Sequence, residues 1–204
     1  MVKKTTRTST DIRRKQIVEA SKEIISNEGL LNLSVKNIAK RVGISDSTIF
    51  RHFKNKQEIL MEIVSNVEDE LIISLKKIAM QRTPAVDRLH EYLCFHVKYL
   101  IKNKGITLLF FTEASYQNDE PMKKKLDEIY NQIKHGFCKI ILDGIAEENW
   151  DSGISTENLA KLYMGIPLVL NIELTLNPNK FPEKDFCSKM LSLLQAIMKP
   201  AGAS

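Results

Sequence analysis

The chain has 204 residues, of which 43% are hydrophobic and 27% charged, so its apolar content suits a packed core and excludes a disordered chain. Its three cysteines are odd in number and widely spaced, which argues against a disulfide framework. The net charge is +5, but residues 1–56 hold 13 Lys or Arg and five Asp or Glu, a net charge of +8. A basic N-terminal third on a mildly acidic remainder indicates that one end faces an anionic partner such as DNA.

Residues 1–10 are polar and basic and show no hydrophobic periodicity, so we predict a disordered arm. Such an arm can add contacts to phosphates or to the minor groove, or it can serve only as a solubilising tail. A first helix is predicted over 11–27, with Ile17, Ala20 and Ile24 on its buried side. Arg14 lies in its first turn, where a cation opposes the helix dipole and where a nearby phosphate would explain its presence.

The next segment has the pattern of two short helices separated by a glycine turn. Apolar residues at i, i+3, i+4 and i+7 from Val35 form one face of a two-turn helix, and Ser34 can cap its start. Gly43 ends this helix, because glycine takes a left-handed cap without steric cost. Ser45 can cap a second helix over 46–52. This arrangement is typical of a helix-turn-helix.

The second of these helices has one apolar and one polar side. Drawn at roughly 100° per residue, it places Ile49 and Phe53 on the inward side. The other side carries small hydroxyl groups and an arginine, flanked by two rings: Ser47, Thr48, Arg51, Phe50 and His52. Small side chains let a helix approach the base edges, and arginine can donate two hydrogen bonds to guanine. The alternative is a solvated polar face on a small helical bundle.

A long fourth helix is predicted from Lys56 to about residue 80. Asn55 and Glu58 have the spacing of a capping box, which places the helix start at Lys56. An amine in the first turn of a helix is a natural phosphate contact, although Lys56 could also be an ordinary surface lysine. The helix connects the N-terminal segment to the rest of the chain.

The sequence over roughly residues 12–62 resembles the N-terminal DNA-binding domain of the TetR family. The family pattern is matched by the following residues: Ala20, Gly29, Ser34, Ile38, Ala39, Gly43, Ile44, Ser45, Thr48, Ile49, Phe50, His52, Phe53, Lys56 and Leu60. Two positions depart from it. Phe50 replaces the usual tyrosine and lacks the hydroxyl that can reach a phosphate, and Ser47 stands where glycine or another small residue is common.

The resemblance implies that residues 11–56 form a helix-turn-helix domain that binds a palindromic operator in double-stranded DNA. Taken with the residue pattern, it gives a candidate set of DNA-contacting residues: Arg14, Ser34, Lys36, Ser45, Ser47, Thr48, Phe50, Arg51, His52 and Lys56.

Five further helices are predicted after residue 80, over about 84–102, 105–116, 118–146, 157–176 and 182–198. No stretch of usable length alternates with the period of two expected for a strand. The expected fold is therefore all-α, with a three-helix N-terminal domain, a C-terminal helical bundle and about nine helices. The resemblance implies that residues 57–204 bind a ligand and form the dimer.

The last two predicted helices are apolar over more than one face, which favours a partner over a monomer surface. In the TetR family such a pair forms a four-helix bundle across a two-fold axis, and a thick monomer core is the alternative. The candidate homodimer contacts are Leu162, Gly165, Val169, Ile172, Met190, Leu194 and Ile197.

Motifs for chemistry are scarce. The sequence has no GxSxG, Walker loop, CxxC pair or HExxH motif. We therefore expect that the protein is not an enzyme and has neither catalytic residues nor a cofactor. His90, Cys94 and His96 make a poor metal set, because His96 points away from the other two. A Glu113 pair with His96 or Tyr116, near aromatic residues, could line a pocket or belong to the core. The candidate pocket residues are His96, Phe110, Phe111, Glu113, Tyr116 and Met164.

The sequence therefore favours a homodimeric TetR-like regulator, most often a repressor in this family, that a hydrophobic or amphipathic small molecule releases from DNA. The alternative is a DNA-bound adaptor that acts through a protein partner without a ligand, as a nucleoid-occlusion factor of this fold does. No signal peptide is present and no apolar run is expected to span a bilayer, so we expect a cytoplasmic protein without membrane contact.

Overall fold

The computed structural model of the protein describes residues 9–104, 106–177 and 185–199. Within these ranges the regular structure is helical and contains no strand. There are nine α-helices when the continuous run from Lys56 to Ala79 counts as one, and a short 3₁₀ helix at Leu30–Asn32. The prediction of an all-α protein with about nine helices is confirmed. The chain divides into two compact units, Met1–Asn66 and Val67–Ser204.

The first unit is built from α1 (Ser9–Glu28), α2 (Val35–Val42), α3 (Asp46–His52) and most of α4 (Lys56–Val67). The last three begin where the sequence predicts, because side-chain caps mark those positions. The start of α1 differs from the prediction, since Ser9 and Thr10 belong to the helix and not to an arm. Residues 1–8 of the predicted arm lie outside the described residues. The apolar core of this unit includes Ile17, Ile24, Ile25, Ile38, Ile49, Phe53, Ile59 and Leu60.

The predicted single helix over 56–80 contains a π-helical turn at Glu68–Ile72, followed by α5 (Ile73–Ala79). The amide of Ile73 donates to the carbonyl of Glu68, five residues back, where an α-helix would bond four residues back. Glu68 is also ion-paired with Lys125. One widened turn hardly alters the spacing of apolar residues, so the sequence pattern predicts a helix here and gives no sign of the π turn.

The second unit continues with α6 (Ala85–Lys102), α7 (Ile106–Tyr116), α8 (Glu120–Ala146), α9 (Thr156–Leu176) and α10 (Phe186–Met198). Helix α6 packs against α5, α8, α9 and α10. The predicted start of the last helix at residue 182, and Gly105 before α7, lie outside the described residues. Pro84 is the cap residue of α6 and makes no side-chain hydrogen bond, while the hydroxyl of Thr83 donates to the side chain of Gln81.

Three stacked or tilted rings fill the centre of this unit. Phe137 of α8 lies face to face with Tyr163 of α9, with 4.3 Å between ring centroids, and Tyr92 of α6 lies 6.0 Å from Tyr163. The Tyr92 hydroxyl donates to the carbonyl of Ile133 at 2.7 Å, which satisfies its polar atom in the interior. Burial raises the pKa of Tyr92 well above its ordinary value, so the ring remains neutral.

A buried arginine joins several elements of the second unit. Arg88 of α6 is only 4% exposed, and its guanidinium donates to the carbonyls of Ala79 and Thr83, both at 2.9 Å. It is also ion-paired with Asp143 at 2.7 Å and Glu147 at 3.4 Å, near the end of α8. Since a buried charge is costly unless it is paired and hydrogen-bonded, these four partners fix where α5, α6 and α8 meet.

The loop after α8 is anchored by Trp150, the one tryptophan in the sequence, which is 5% exposed. Its indole ring lies over Gly144 of α8 so closely that a Cβ atom at Gly144 would be 2.1 Å from two ring atoms. The amide of Asp151 donates to the carbonyl of Met198 at the end of α10. The sequence marks this loop as polar, but its tryptophan is part of the core.

We expect Gly144→Ala to lower the free energy of unfolding by about 1–3 kcal/mol, because the new methyl group must displace the indole. Thermal unfolding measures the loss, and the Trp150 emission should shift to the red as the ring becomes more exposed.

Gly165→Ala is the matched control, because it is also a helical glycine and a Cβ atom there would meet nothing within 4 Å. It should leave the emission unchanged and stabilise the helix by up to about 1 kcal/mol. Equal unfolding temperatures and equal emission for the two variants would show that the indole does not occupy this position.

Candidate functional site

The turn between α2 and α3 is set by Gly43, which has φ +74° and ψ +40°, the left-handed region that favours glycine. Its amide and that of Ile44 both donate to the carbonyl of Ala39, at 2.9 and 3.0 Å. Ser45 then starts α3, and its hydroxyl oxygen accepts from the amide of Thr48 at 3.3 Å. Two bonds that end one helix and a cap that begins the next give this turn a defined shape.

Helix α3 buries one side and exposes the other. Ile49 is 1% exposed, while Ser47 and Arg51 are exposed and Phe50 is 55% exposed. Ser45 also lies 2.9 Å from the hydroxyls of both Ser47 and Thr48, so the start of the exposed side is a cluster of linked hydroxyl groups. The predicted inward and outward sides of this helix agree with the structure.

The residues that flank α3 present further donors. Ser34 caps α2 by accepting from the amide of Asn37 at 3.2 Å, and Lys36 is exposed in the first turn. Asn55 accepts from the amide of Glu58 at 2.9 Å, and this cap places Lys56, which is half-buried, as the first residue of α4. Amides and amines gathered at helix starts favour anions.

Arg14, a predicted DNA contact, has several partners within the protein. Its guanidinium lies 4.1 Å from the centroid of the Phe53 ring, donates to the carbonyl of His52 and is ion-paired with Glu62 at 2.9 Å. A cation held by these intramolecular contacts braces the end of α3 against α1 and α4. The sequence pattern showed that Arg14 opposes the dipole of α1, but could not show that protein groups satisfy it.

His52 follows the predicted recognition residues at the end of α3. Burial lowers the pKa of its imidazole below the ordinary value of 6.5, and the neighbouring charges of Arg51, Arg14 and Arg13 lower it further. Near pH 7 the ring is therefore neutral and offers a hydrogen bond to a partner, while Arg51 and Lys56 supply positive charge.

The second unit contains a cavity of about 490 Å³, within the ~300–1,000 Å³ range of small-molecule sites. Its walls come from the end of α4, the π turn and helices α6 to α9, and they are mostly aliphatic or aromatic. The lining residues are Val67, Leu71, His96, Leu100, Thr107, Leu108, Phe110, Phe111, Leu126, Ile129, Tyr130, Ile133, Lys161, Met164, Gly165, Pro167, Leu168 and Asn171.

Four of the six candidate pocket residues, His96, Phe110, Phe111 and Met164, line this cavity. Glu113 and Tyr116 do not, and the prediction for them is wrong. At about 100° per residue, the two project from the opposite side of α7 from Phe111, and Tyr116 is 85% exposed. The proposed pairing of His96 with Glu113 is also absent, because His96 Nδ1 bonds the hydroxyl of Tyr163 at 3.0 Å.

Two buried polar side chains lie in the cavity wall. His96 is 4% exposed, and burial lowers the pKa of its imidazole to about 4, so the ring is neutral. Asn171 is 8% exposed; its amide oxygen accepts from Thr107 at 2.8 Å and its amide nitrogen donates to the carbonyl of Pro167 at 3.0 Å. An asparagine inside an apolar helix was a visible signal for such a site, and the sequence reading missed it.

Several apolar side chains of α9 and α10 project from the second unit. Val169 is 53% exposed and Ile172 is 41% exposed, and the remaining members of this surface are Leu162, Leu168, Leu176, Leu193 and Ile197. Leu162, Val169, Ile172 and Ile197 were predicted dimer contacts. We call this set of exposed apolar side chains on two helices the α9–α10 face, and exposed apolar groups of this kind mark interaction sites.

The other three predicted dimer contacts are placed differently. Leu194 is 3% exposed and packs inside its own unit, because its side of α10 faces the core, so an interface role is wrong for it. Gly165 lines the cavity and Met190 is half-buried. The sequence showed that both helices are apolar on more than one side, but could not say which side meets the core.

Helix α9 also corrects the expectation that no apolar run is long enough to span a bilayer. By length and composition it could do so, but 39% of its most apolar stretch is buried within the protein. Core helices of soluble proteins pass the same test, and both the cavity and the α9–α10 face account for its apolar residues.

The described residues hold no group of three or more His, Cys, Asp or Glu side chains that could bind a metal ion. His90 and Cys94 lie 3.5 Å apart on one face of α6, while His96 is buried on another. Cys94, Cys138 and Cys187 form no disulfide and are half-buried, and burial raises the pKa of the Cys94 thiol to about 12.

The chain is similar to known proteins in its N-terminal segment and over most of its length. The profile of bacterial regulatory proteins of the tetR family matches residues 17–63. The chain is 29% identical over 144 residues to the fatty acid metabolism regulator protein of Bacillus subtilis (strain 168), covering 71% of each chain. It is 22% identical over 175 residues to the nucleoid occlusion factor SlmA of Vibrio cholerae, covering 85% of this chain and 86% of that protein.

A solved structure of the regulator FadR from Bacillus subtilis in complex with stearoyl-CoA has the same fold. The TM-score is 0.68 at 19% sequence identity, with 90% of this chain and 96% of that chain covered. The profile match covers the helix-turn-helix described above, and the structural likeness extends over the cavity-bearing unit. The helix-turn-helix segment, residues 17–63, thus matches the tetR family of bacterial regulatory proteins, and the chain is similar to regulators of that family, which are not enzymes.

Proposed function

We propose that the protein is a transcriptional repressor that binds a palindromic DNA operator through α3. The observation that supports this most directly is the exposed side of α3, where Ser47, Phe50 and Arg51 project beyond a turn fixed by Gly43. Arg51 can donate to a guanine in the major groove, and the hydroxyl cluster allows close approach of the helix to the bases. Lys36 and Lys56 supply phosphate contacts.

We propose that two copies associate through the α9–α10 face. One short recognition helix reads few base pairs, and two such helices related by a two-fold axis read a palindrome with half-sites about 34–36 Å apart. The exposed side chains of Val169 and Ile172 give the dimer an apolar contact. A homodimer buries this face with a copy of itself, as a two-fold axis requires.

The effector that we propose is a mostly apolar small molecule, and a long-chain acyl compound is the first candidate. The cavity supports this because 13 of its 18 lining residues are Val, Leu, Ile, Phe, Met, Pro or Gly. The similar Bacillus subtilis FadR was solved with stearoyl-CoA. The effector can weaken DNA binding only by the difference between its binding free energies for two conformations, one that binds the operator and one that does not.

These roles divide between the two units: the first binds DNA, and the second binds the effector and forms the dimer. The protein acts in the cytoplasm, where both DNA and acyl compounds are present. This is the division that the sequence predicts for residues 11–56 and 57–204, and the boundary between compact units lies after Asn66.

The similarity to SlmA favours a second candidate function, a DNA-bound adaptor that acts through a protein partner. That function needs no effector, so it gives no reason for an apolar cavity in the second unit. The cavity lined by α6 to α9 therefore supports the ligand-responsive repressor over the adaptor.

We expect Arg51→Ala to weaken binding to a selected operator by about 1–3 kcal/mol and to relax the base preference at one position of each half-site. The operator comes from selection on random DNA, and the affinity from fluorescence anisotropy. Lys56→Ala should weaken binding to all DNA sequences alike, and it should reduce the slope of log affinity against log salt concentration by about 1.

Arg82→Ala removes an exposed arginine from the second unit and is the matched control, which should leave DNA affinity unchanged. Operator affinity and base preference that stay at the native level in Arg51→Ala would remove Arg51 from the base-contacting set.

We expect Val169→Asp to convert the dimer to a monomer, because two unpaired carboxylates would meet across the two-fold axis in an apolar contact. Light scattering at micromolar concentration gives the mass. Met80→Asp changes a side chain that is 64% exposed outside the α9–α10 face, and it should remain dimeric. A native protein that is monomeric under these conditions would contradict the proposed assembly.

We expect stearoyl-CoA to bind the free protein more tightly than the operator-bound protein, by about 5- to 150-fold, the usual range of such coupling. Calorimetric titration with and without operator DNA measures both affinities. By linkage, operator affinity must fall by the same factor at saturating stearoyl-CoA. Equal affinities in the two titrations would contradict effector release and would favour the adaptor function.

A further inference from the structure

The two buried polar residues of the cavity wall, Asn171 and His96, differ in how many of their polar atoms have a hydrogen-bond partner. Asn171 has described partners for both ends of its amide, Thr107 and Pro167. His96 uses Nδ1 for the hydroxyl of Tyr163, and its Nε2 has no hydrogen-bond partner in the part of the chain that the structure describes. The imidazole is therefore the buried lining group with an uncommitted polar atom.

The position of the proton on His96 follows from the needs of Tyr163. Tyr163 is fully buried, and its hydroxyl has one described partner, His96 Nδ1, at 3.0 Å. If Nδ1 carried the proton, the hydroxyl hydrogen would have no acceptor, which costs about 1–3 kcal/mol in an interior. Tyr163 therefore donates to Nδ1, and the proton of the neutral ring sits on Nε2.

The Nε2–H group is not fully buried against protein atoms and faces open space. Among the described residues, neither nitrogen of His96 is a fully buried polar atom that lacks a hydrogen-bond partner. The side chain is 4% exposed, and it is one of the residues that line the cavity. The open space that Nε2 meets is therefore the cavity, into which it offers one hydrogen-bond donor.

The charge of the site restricts what this donor can bind. Burial lowers the pKa of His96 to about 4, so the ring donates without carrying a positive charge near pH 7. The one lysine in the lining, Lys161, has a side chain that is 58% exposed and lies 3.3 Å from Glu157. A carboxylate beside His96 would be buried without a cation, which is costly, whereas an uncharged acceptor has no such penalty.

We propose that the effector carries an uncharged hydrogen-bond acceptor, such as a carbonyl oxygen, within its apolar part, and that this oxygen accepts from His96 Nε2–H. Tyr163 is a positioning residue that holds the ring in the donating tautomer. This inference rests on the proposed function, in which the cavity is the effector site, and it adds the chemical group that the site distinguishes.

The test compares a methyl ketone with the alkane of equal carbon number and with the matching alkanoic acid. Each competes with the fluorescent apolar dye Nile red for the full-length native protein. The native protein should bind the ketone about 2- to 12-fold more tightly than the alkane, which corresponds to one neutral hydrogen bond. The acid at pH 7 should gain no such preference, because its carboxylate is charged.

His96→Leu should abolish the preference for the ketone over the alkane. His96→Gln is the matched control, because its amide oxygen can accept from Tyr163 while its amide nitrogen donates into the cavity. It should keep the preference. Tyr163→Phe should weaken the preference, since the tautomer is no longer fixed, without changing alkane binding. Thermal unfolding identifies any variant that fails to fold.

The outcomes separate this inference from the proposed function. If the native protein binds ketone and alkane equally, or if His96→Leu keeps the preference, the role of His96 is wrong while the cavity remains an apolar effector site. If neither compound nor stearoyl-CoA displaces the dye, the proposed effector site fails and this inference fails with it. Tighter binding of the acid than of the ketone would overturn the inference in favour of a charged ligand group.

Discussion

The arrangement of the second unit depends on the buried charge of Arg88. A guanidinium in the interior is stable only where oxygens surround it, and here they come from the end of α5, the turn before α6 and the last turns of α8. These elements can therefore meet in few ways. Because α6 and α8 are also walls of the cavity, the same interaction holds apart the surfaces between which a ligand would lie.

The first unit could be predicted almost to the residue, since its signals are local. A serine before an apolar run and a glycine at a left-handed position act on their immediate neighbours, so Ser34, Gly43 and Ser45 alone place α2 and α3. The buried and exposed sides of α3 follow from a helical wheel. Arg14 could not be assigned in this way, because its partners Phe53 and Glu62 lie about 40 residues or more along the chain.

In the second unit, the helices could be predicted from the sequence, but the set of side chains that lines the cavity could not. Apolar periodicity indicates that α7 and α10 are helices, yet it does not say which of two apolar sides faces the core, the cavity or solvent. Glu113 and Leu194 were misplaced for that reason. His96 lies in the cavity wall, but its partner Tyr163 is 67 residues away, and only the packing of α6 on α9 brings the two together.

The π turn at Glu68–Ile72 has a consequence for comparing this chain with its relatives. A π turn holds one residue more than an α turn of similar length, so it can arise when a single residue is inserted into a continuous helix. A relative whose helix is α-helical throughout needs one residue fewer between Val67 and Ile73. An alignment that allows gaps only in loops would then shift every later residue of this helix by one position, and would pair core side chains with exposed ones.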